Sequence, residues 1–282
     1  MKERGREVGR FLGIIFSFVI FFFFVFCSLM DVKAATYAIS PIPSNGTITD
    51  MCSSLVNDIN CSATYNIFQS ATPNLYQIDG SRVIKAICFC PNMKLNFQVY
   101  GAEGGCISSP RGRLGGRGGI MQGSIPVRVL RNLKPKELTT NMYILVGRYG
   151  SCMVYSSWEY VGRGGEASAV WLSALDVSGL LVVAGGGGAG SYTHVDNRIR
   201  VCTGGNGLGG NPSITTYHGG TGVETSKSGG GGGGYMAGGW AGFFGYGGSG
   251  FLTPLCAGGA GCTYTSSTGR LGNGYVRIWL SP

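Results

Sequence analysis

The chain has 282 residues and a formal net charge of +9, and 52 of its residues are glycine. Only five glycines precede residue 101, so the other 47 fall in the remainder of the chain. This density excludes a helix-rich fold, because glycine in a helix interior costs roughly 1 kcal/mol relative to alanine. Collagen is excluded by the low count of 10 prolines. Simple disorder fits the composition poorly, because 44% of residues are hydrophobic and only 12% are charged.

The first 34 residues have the organisation of an export signal. A charged head, residues 1–10, precedes the apolar run Phe11–Leu29, and the small residues Val32 and Ala34 occupy the −3 and −1 positions of a cleavage site. This order predicts a signal peptide, residues 1–34, cleaved after Ala34. The apolar run is also long enough to cross a bilayer, so an uncleaved signal anchor is the alternative. Both predict that the rest of the chain is extracellular, secreted or at the cell surface, with membrane contact only through an uncleaved N-terminal segment.

The cysteine count of the exported part predicts a disulfide-bonded protein. Nine cysteines remain after the signal segment, and in an oxidising compartment they are expected to pair. Because nine is odd, at most four bridges form and one thiol is left over or pairs between chains. We expect at least three intramolecular bridges. Zinc is disfavoured by the ligand spacing, and we expect no metal site. The disulfide candidates are Cys52, Cys61, Cys88, Cys90, Cys106, Cys152, Cys202, Cys256 and Cys262, of which Cys256 and Cys262 are a plausible local pair.

Two further features describe the exported surface. Asn45 and Asn60 each begin an Asn-x-Ser/Thr sequence and are the glycosylation candidates, so we expect a glycoprotein. Without residues 1–34 the chain keeps a net charge of +7, from 17 Lys and Arg against 10 Asp and Glu. A basic exported protein attracts acidic glycans, anionic surfaces or acidic partners, although simple solubility explains the same charge.

The hydrophobic pattern predicts an all-β fold. Residues 35–80 are poor in glycine and read as an N-terminal cysteine-containing region of loops and short strands, followed by a glycine-rich domain, residues 81–282. In that domain, short Val-, Ile- and aromatic-rich runs bounded by Gly or Pro indicate strands without helices, which is typical of a β-sandwich. The predicted strands are Arg82–Cys90, Lys94–Tyr100, Ile120–Val129, Met142–Val146, Ala167–Leu172, Leu180–Ala184 and Gly274–Leu280.

Glycine recurs at a local period of three in the connections between these strands. The longest row is Gly239, Gly242, Gly245 and Gly248, and a shorter row is Gly112, Gly115 and Gly118. A left-handed extended helix with three residues per turn would align each row on one side and let neighbouring backbones approach. A flexible loop is the alternative. Bulky residues such as Trp240 and Phe243 between the glycines favour the ordered form.

Several of these blocks together resemble a known family. Val99–Gly105 ends a predicted strand and opens a glycine tract, Gly115–Gly119 precedes the next strand, Gly164–Ala169 precedes Leu180–Gly188, and Gly272–Ile278 follows the later tracts. This order resembles the extracellular glycine-rich domain of the anaplastic lymphoma kinase and leukocyte tyrosine kinase receptors, over residues 81–282. The resemblance implies a jelly-roll, tumour-necrosis-factor-like β-sandwich with a bundle of polyglycine II helices inserted between strands. It also implies binding of a protein ligand.

We therefore expect a non-catalytic, exported ligand-binding or adhesion module that recognises a protein or glycan at the cell surface. The sequence contains no Asp-Phe-Gly, His-Arg-Asp or Val-Ala-Ile-Lys motif, so a receptor tyrosine kinase activity is not expected of this chain. The alternatives are a structural glycine-rich matrix or coat protein, and a fragment of a receptor tyrosine kinase whose kinase domain is absent from this chain.

Few side chains stand out as functional candidates. Arg111, Arg113 and Arg117 form the densest basic group and are expected to assist binding, with a solvated loop as the alternative. No nucleic acid is expected as a partner of an exported chain. No cofactor is expected either, since the sequence Gly205–Gly210 fits a dinucleotide fingerprint only formally, without a surrounding βαβ unit. The remaining candidates are the carboxylates Glu103, Glu166 and Asp176, expected to be solvated acids at strand ends.

Overall fold

Strands with alternating apolar and polar residues, such as Lys94–Tyr100 and Tyr275–Ser281, bury one face and direct the other away from the core. The structure is a computed structural model that describes residues 46–105, 115–156, 159–195, 198–202, 208–209, 240–241, 244–245 and 247–282. All of these residues belong to one unit of the chain, Pro41–Pro282. The predicted signal segment lies outside the described residues. Among those described, no helix is both long and apolar enough to cross a membrane.

One sheet has five strands, all antiparallel, in the order β1-β17-β3-β4-β16. Strand β17, the last of these five in the chain, therefore lies between β1 and β3, which are the first two. The strands are β1 (Tyr65–Ser70), β3 (Lys94–Tyr100), β4 (Gly118–Pro126), β16 (Thr263–Arg270) and β17 (Tyr275–Ser281).

A second sheet has six strands in the order β12-β15-β9-β8-β5-β2, and it is antiparallel except for the short β12, which runs parallel to β15. Its strands are β2 (Asn74–Asp79), β5 (Asn141–Val146), β8 (Ser168–Leu172), β9 (Leu180–Ala184), β12 (Leu208–Gly209) and β15 (Ser249–Leu252).

Two smaller sheets complete the strands of the described ranges. A four-stranded antiparallel sheet has the order β11-β10-β7-β6, and a two-stranded sheet joins β13 to β14. These strands are β6 (Cys152–Ser156), β7 (Glu159–Gly162), β10 (Ser191–Val195), β11 (Arg198–Cys202), β13 (Trp240–Ala241) and β14 (Phe244–Gly245).

The main hydrophobic core lies between the five-stranded and six-stranded sheets. Alternate residues of β3, Leu95, Phe97 and Val99, are buried, and they join a cluster that includes Ile144 of β5 and Val182 of β9. The described fold is thus mostly β with few helices, which agrees with the predicted all-β class. A second cluster covers the other face of the six-stranded sheet and is also buried, so this sheet is apolar on both faces.

The predicted strand Arg82–Cys90 is wrong, because this segment is the helix Ser81–Phe89. Its apolar side chains Val83, Ile84 and Ile87 are fully buried on one side of the helix. A run of nine mainly apolar residues fits one side of a short helix as well as a strand, so periodicity alone did not decide between them. Shorter helical segments are Ile48–Met51, Cys52–Ser54, Val127–Leu130 and Pro254–Gly259.

The helix Ser81–Phe89 is fixed to its surroundings at its C-terminal end. Arg131 donates from Nε to the Ile87 carbonyl at 2.8 Å and from Nη2 to the Cys88 carbonyl at 2.7 Å. These bonds satisfy carbonyls that the helix itself leaves without partners, and a cation there is favoured by the helix dipole. Two disulfides, Cys52–Cys88 and Cys61–Cys90, attach the same end to the preceding segment.

The other strand predictions agree with the structure to within two residues at each end, except at the end of one strand. Lys94–Tyr100 and Leu180–Ala184 have the predicted bounds. The predicted strand Ile120–Val129 instead ends at Pro126, and the chain continues into the helical turn Val127–Leu130. Proline supplies no N–H to the ladder, which is consistent with a strand that stops there.

Glycine-rich connections between the strands bond to one another through their backbones. We call residues 101–105, 115–119, 162–167 and 185–190 the four glycine segments. In the first, Gly101 N–H donates to the Gly119 carbonyl at 2.8 Å and Gly104 N–H to the Gly116 carbonyl at 2.9 Å. Residues three apart in one segment thus meet residues three apart in the next. The same three-residue step recurs between the other segments, in each case from two N–H donors to two carbonyls. The donors and their acceptors are Ala102 and Gly105 to Glu166 and Arg163; Gly187 and Gly190 to Ala102 and Gly105; Gly119 and Gly116 to Gly185 and Gly188; and Gly165 and Gly162 to Gly187 and Gly190.

These contacts leave no room for a side chain at the glycines that face a neighbour. A Cβ atom on Gly118 would lie 1.9 Å from the Gly101 carbonyl oxygen, and one on Gly104 would lie 2.0 Å from the Gly188 carbonyl oxygen. Both distances are far below any real carbon–oxygen contact. Glycine is therefore required at these positions for the close approach of two backbones.

Candidate functional site: the outer face of the five-stranded sheet

A row of directly opposed polar residues crosses the centre of the outer face of the five-stranded sheet. In order across the sheet it consists of Gln69, Arg277, Gln98, Gln122 and Thr265, one residue from each strand. We call it the central row. Directly opposed residues of antiparallel strands point to the same side, and here the adjacent positions of β3 and β17 face the core. The central row therefore lies on the solvent side.

The amides of the central row have capacity for a ligand. Gln69 and Gln122 are exposed and Gln98 is half-buried. No side-chain hydrogen bond joins any of these amides to another of the described residues. Each glutamine amide carries two N–H donors and a carbonyl acceptor, so the row presents donors and acceptors side by side.

Arg277 lies within the central row and packs against an aromatic ring. Its Cζ atom is 4.8 Å from the ring centroid of Trp279, which is the geometry of a cation–π contact. Its Nε atom is buried and has no hydrogen-bond partner in the described parts of the chain. No ion pair joins Arg277 to a described carboxylate. The guanidinium is thus held by stacking, with its charge uncompensated by a neighbouring acid.

On one side of the central row, small polar residues surround Trp279. The Asn96 amide nitrogen donates to Ser281 Oγ at 3.0 Å and to the Trp279 carbonyl at 3.3 Å. The hydroxyls of Ser124 and Thr263 lie 2.9 Å apart across β4 and β16. A groove of about 490 Å³ runs over these residues and the amides of Gln98 and Gln122. The residues that line it are Asn96, Phe97, Gln98, Gln122, Gly123, Ser124, Thr263, Tyr264, Thr265 and Trp279.

On the other side of the central row, aromatic and basic residues are in contact. The rings of Tyr100 and Tyr275 meet edge to face with centroids 5.5 Å apart. The Arg270 guanidinium lies 5.9 Å from the Tyr100 ring centroid, and its Nε donates to the Asn273 carbonyl at 2.8 Å. This side therefore adds a second cation whose position is fixed by neighbouring groups.

The charge of the five-stranded sheet has one sign. The five strands contain Lys94, Arg270 and Arg277 but no Asp or Glu. The excess of cations within these strands favours a positive potential over the face, and such a potential attracts anionic ligands. The sheet thus combines positive charge with a dense set of amide and hydroxyl groups.

The structure pairs most of the predicted cysteines. Cys52–Cys88, Cys61–Cys90 and Cys256–Cys262 are disulfides, which confirms the prediction of at least three intramolecular bridges and the local pair. Cys152 is also disulfide-bonded, and its partner is not among the described side chains. Cys106 lies outside the described residues, and the side chain of Cys202 is not described.

Of the glycosylation candidates, Asn60 is described and Asn45 lies outside the described residues. Asn60 is exposed, and its Oδ1 accepts from the Ser62 hydroxyl at 2.7 Å and from the Ser62 N–H at 3.0 Å. These contacts form an Asx turn. The sequence signal therefore falls on an accessible turn, which is where a glycan can be attached.

The remaining predicted positions do not contribute to the central row. Arg117 is exposed and lies in the second glycine segment, while Arg111 and Arg113 lie outside the described residues. Of the long glycine row, Gly239 and Gly242 lie outside the described residues, and Gly245 pairs with Trp240 in a two-residue strand. Gly248 donates its N–H to the Gly186 carbonyl at 2.9 Å. In the shorter row, Gly115 and Gly118 both face the first glycine segment.

The expectation that Glu103 is a solvated acid is wrong, because Glu103 is fully buried among the glycine segments. Glu166 instead binds Arg148, with Oε1 2.7 Å from Nη2 and 3.0 Å from Nε. The hydrogen bond to Glu166, and then its negative charge, hold the pKa of the Arg148 guanidinium above the usual value. Asp176 accepts from Ser178 in a turn.

These carboxylates do not form a reactive pair with one another through any described contact. In the described ranges no group of three His, Cys, Asp or Glu side chains is placed to hold a metal ion. The groups that the outer face presents are amides, hydroxyls and cations, which interact through hydrogen bonds and charge.

Sequence reasoning missed the central row. The alternation Leu95, Phe97, Val99 indicated that Asn96, Gln98 and Tyr100 face away from the core, which was the available signal. What the sequence did not reveal is that β17 lies beside β3, so that Arg277 and Trp279 join these residues. Strand order in a sheet is set by long-range pairing, and no local pattern encodes it.

No protein-family model matches this chain, and no curated protein shows significant similarity to it. The function of the chain has to follow from the chemistry of its own side chains, above all those on the outer face of the five-stranded sheet.

Proposed function

We propose that this chain is an exported, non-catalytic ligand-binding or adhesion module. The observation that carries the proposal is the outer face of the five-stranded sheet, where, among the described residues, nothing bonds to the amides of the central row or forms an ion pair with Arg277. Polar groups that are positioned but not used within the protein are available for a partner. Three disulfides and an accessible glycosylation sequence at Asn60 support an extracellular location.

We also propose that the glycine segments are polyglycine II helices packed as a bundle between the strands of a jelly-roll, tumour-necrosis-factor-like sandwich. Three residues per turn returns the backbone N–H to the same direction at every third residue. The three-residue step of the hydrogen bonds between segments supports this assignment. It also supports the proposed relationship to the glycine-rich domain of the anaplastic lymphoma kinase and leukocyte tyrosine kinase receptors.

A structural role in a matrix or coat is the second candidate, and the glycine segments favour it. A lattice of backbone hydrogen bonds that admits no side chains is stiff, and it would extend between chains if the outermost segments bonded to other copies. Such a protein would assemble with itself at rising concentration. A binding module would stay dispersed and saturate with a partner.

The experiment is saturable binding of the secreted protein to intact cells. The purified, labelled product is titrated onto cells in the presence and absence of excess unlabelled protein, followed by cross-linking to recover the partner. A saturating, competable signal supports the binding module. Sedimentation showing open-ended self-assembly without saturable binding supports the structural role instead. Phosphate transfer from ATP that a single point mutation abolishes would overturn the non-catalytic proposal.

A further inference from the structure

We infer that the outer face of the five-stranded sheet binds an acidic oligosaccharide, with its carboxylate or sulfate group at Arg277 and its hydroxyls on the amides of the central row. This inference rests on the proposed function and names its ligand class. The charge of this face and its capacity for hydrogen bonds each select for this class of ligand.

Charge selects an anionic ligand. The five strands carry three cations and no acid, and Arg277 lies on β17, the second strand of the sheet, between Gln69 and Gln98. An exposed arginine on a protein surface usually has water or a flexible partner around it. Here the Trp279 ring supports the guanidinium on one side, which fixes its plane and reduces the entropy lost when it binds an anion. Planar guanidinium groups bind carboxylates and sulfates through two parallel hydrogen bonds.

Hydrogen-bonding capacity selects a ligand rich in hydroxyls. Gln98 and Gln122 are directly opposed on neighbouring strands, so their amides lie side by side, and Thr265 follows on the next strand. An amide donates and accepts at once, which matches a hydroxyl that does the same. The row offers one cation and then three neutral groups that donate and accept hydrogen bonds. An acidic sugar chain matches this sequence of groups, because it carries hydroxyls beside each anionic group.

Trp279 acts as a positioning residue in this site. Its ring holds the guanidinium of Arg277, and the Asn96 amide is bonded to the Trp279 carbonyl, which keeps that part of β17 in place. The Ser124 and Thr263 hydroxyls, 2.9 Å apart, border the groove beyond Asn96. The groove of about 490 Å³ is large enough for two or three sugar residues.

The test is a titration of the secreted protein with three oligosaccharides of equal length: an oligogalacturonate, a sulfated dextran and a neutral dextran. We expect saturable binding of the uronate chain, the sulfated chain or both, and none of the neutral chain. Which acidic chain binds identifies the anionic group. Arg277→Gln should weaken binding about tenfold or more, the value of a charge-assisted hydrogen bond, whereas Arg277→Lys should weaken it less.

Controls separate the site from general attraction to a basic protein. Lys136→Gln removes an exposed charge on another part of the chain and should change the affinity less than twofold. A double variant, Gln98→Ala with Gln122→Ala, should weaken binding several-fold while keeping all charges, and it serves if Arg277→Gln fails to fold. Equal losses in Arg277→Gln and Lys136→Gln overturn the inference. Equal binding of the neutral chain, or no effect of the double variant, overturns it as well.

Failure of this inference is distinguishable from failure of the proposed function. If none of the three oligosaccharides binds but the protein still shows saturable binding to cells, the ligand class is wrong and the binding module stands. If saturable cell binding is also absent, the proposed function fails with it.

Discussion

Glu103 and Gly272 are joined by two hydrogen bonds in opposite directions. Gly272 N–H donates to Glu103 Oε2 at 2.7 Å, and Glu103 N–H donates to the Gly272 carbonyl at 2.9 Å. Glu103 is fully buried, and Gly150 N–H donates to its carbonyl at 2.9 Å. This residue thus connects the first glycine segment to the turn that precedes β17.

The carboxylate of Glu103 is expected to be a major contributor to stability. Glu103→Ala removes the acceptor of the Gly272 N–H, and an unsatisfied buried partner costs about 1–3 kcal/mol. Glu103→Gln keeps a carbonyl oxygen that accepts from the same N–H, so it should lose less. Urea unfolding of both variants and the parent measures the difference. Equal stability of Glu103→Ala and the parent would contradict this role.

The glycine segments are expected to reject side chains at positions that face a neighbour. A Cβ on Gly165 would lie 2.4 Å from the Ala102 carbonyl oxygen and 2.5 Å from that of Glu103. Gly165→Ala should therefore destabilise the protein by about 1–3 kcal/mol through overpacking. Arg163→Ala is the matched control, because Arg163 is exposed in the same segment. Thermal unfolding should show a clear fall for Gly165→Ala alone, and similar small effects for both variants would favour a flexible segment.

The disulfides are expected to contribute unequally. Cys52–Cys88 and Cys61–Cys90 close loops of 36 and 29 residues, and Cys256–Cys262 spans only 6. If a disulfide acts by lowering the entropy of the unfolded chain, the two that close the longer loops stabilise the protein by about 3–4 kcal/mol each, and the shortest by about 2 kcal/mol. Paired Cys→Ser variants, unfolded in urea, should rank in that order. A larger loss for the shortest loop would show that native-state contacts, and not loop closure, decide the effect.

The ion pair between Asp58 and Lys85 is expected to depend on pH. The Lys85 ammonium, 2.6 Å from Asp58 Oδ1, lowers the pKa of the Asp58 carboxyl, chiefly through its hydrogen bond. A lowered folded-state pKa gives stability that is present above the unfolded pKa and is lost as the pH falls through the folded one. NMR titration should show the Asp58 pKa rising in Lys85→Ala. The effect on stability should be small, because the pair is exposed, and an unchanged Asp58 pKa would refute the pairing.

Much of the sandwich was predictable because its strands are short, apolar and bounded by glycine or proline. Lys94–Tyr100 shows this, since its strict alternation indicates both the strand and its buried face. The helix Ser81–Phe89 was not predictable in the same way. Its β-branched residues suit a strand, and tertiary contacts, including two disulfides and the Arg131 guanidinium, hold it as a helix.

The site was less predictable than the fold. The basic group around Arg117 was visible because it is contiguous, whereas Arg277 stands alone between apolar neighbours and gives no local signal. Glu103 was misjudged for a related reason. A carboxylate next to glycines is ordinarily at the surface, and its burial arises from several distant segments packing around it.

Because β17 lies between β1 and β3, these two strands cannot be joined in the sheet until β17 has been synthesised. Tyr65 of β1 pairs with Leu280, and Lys94 of β3 pairs with Ser281. During synthesis, β1 and β3 thus emerge long before the strand that joins them, and their edges stay unpaired until it is made. Pairings so distant in sequence form slowly and leave aggregation-prone edges exposed. The nascent protein is therefore expected to need holdase chaperones until β17 has been synthesised.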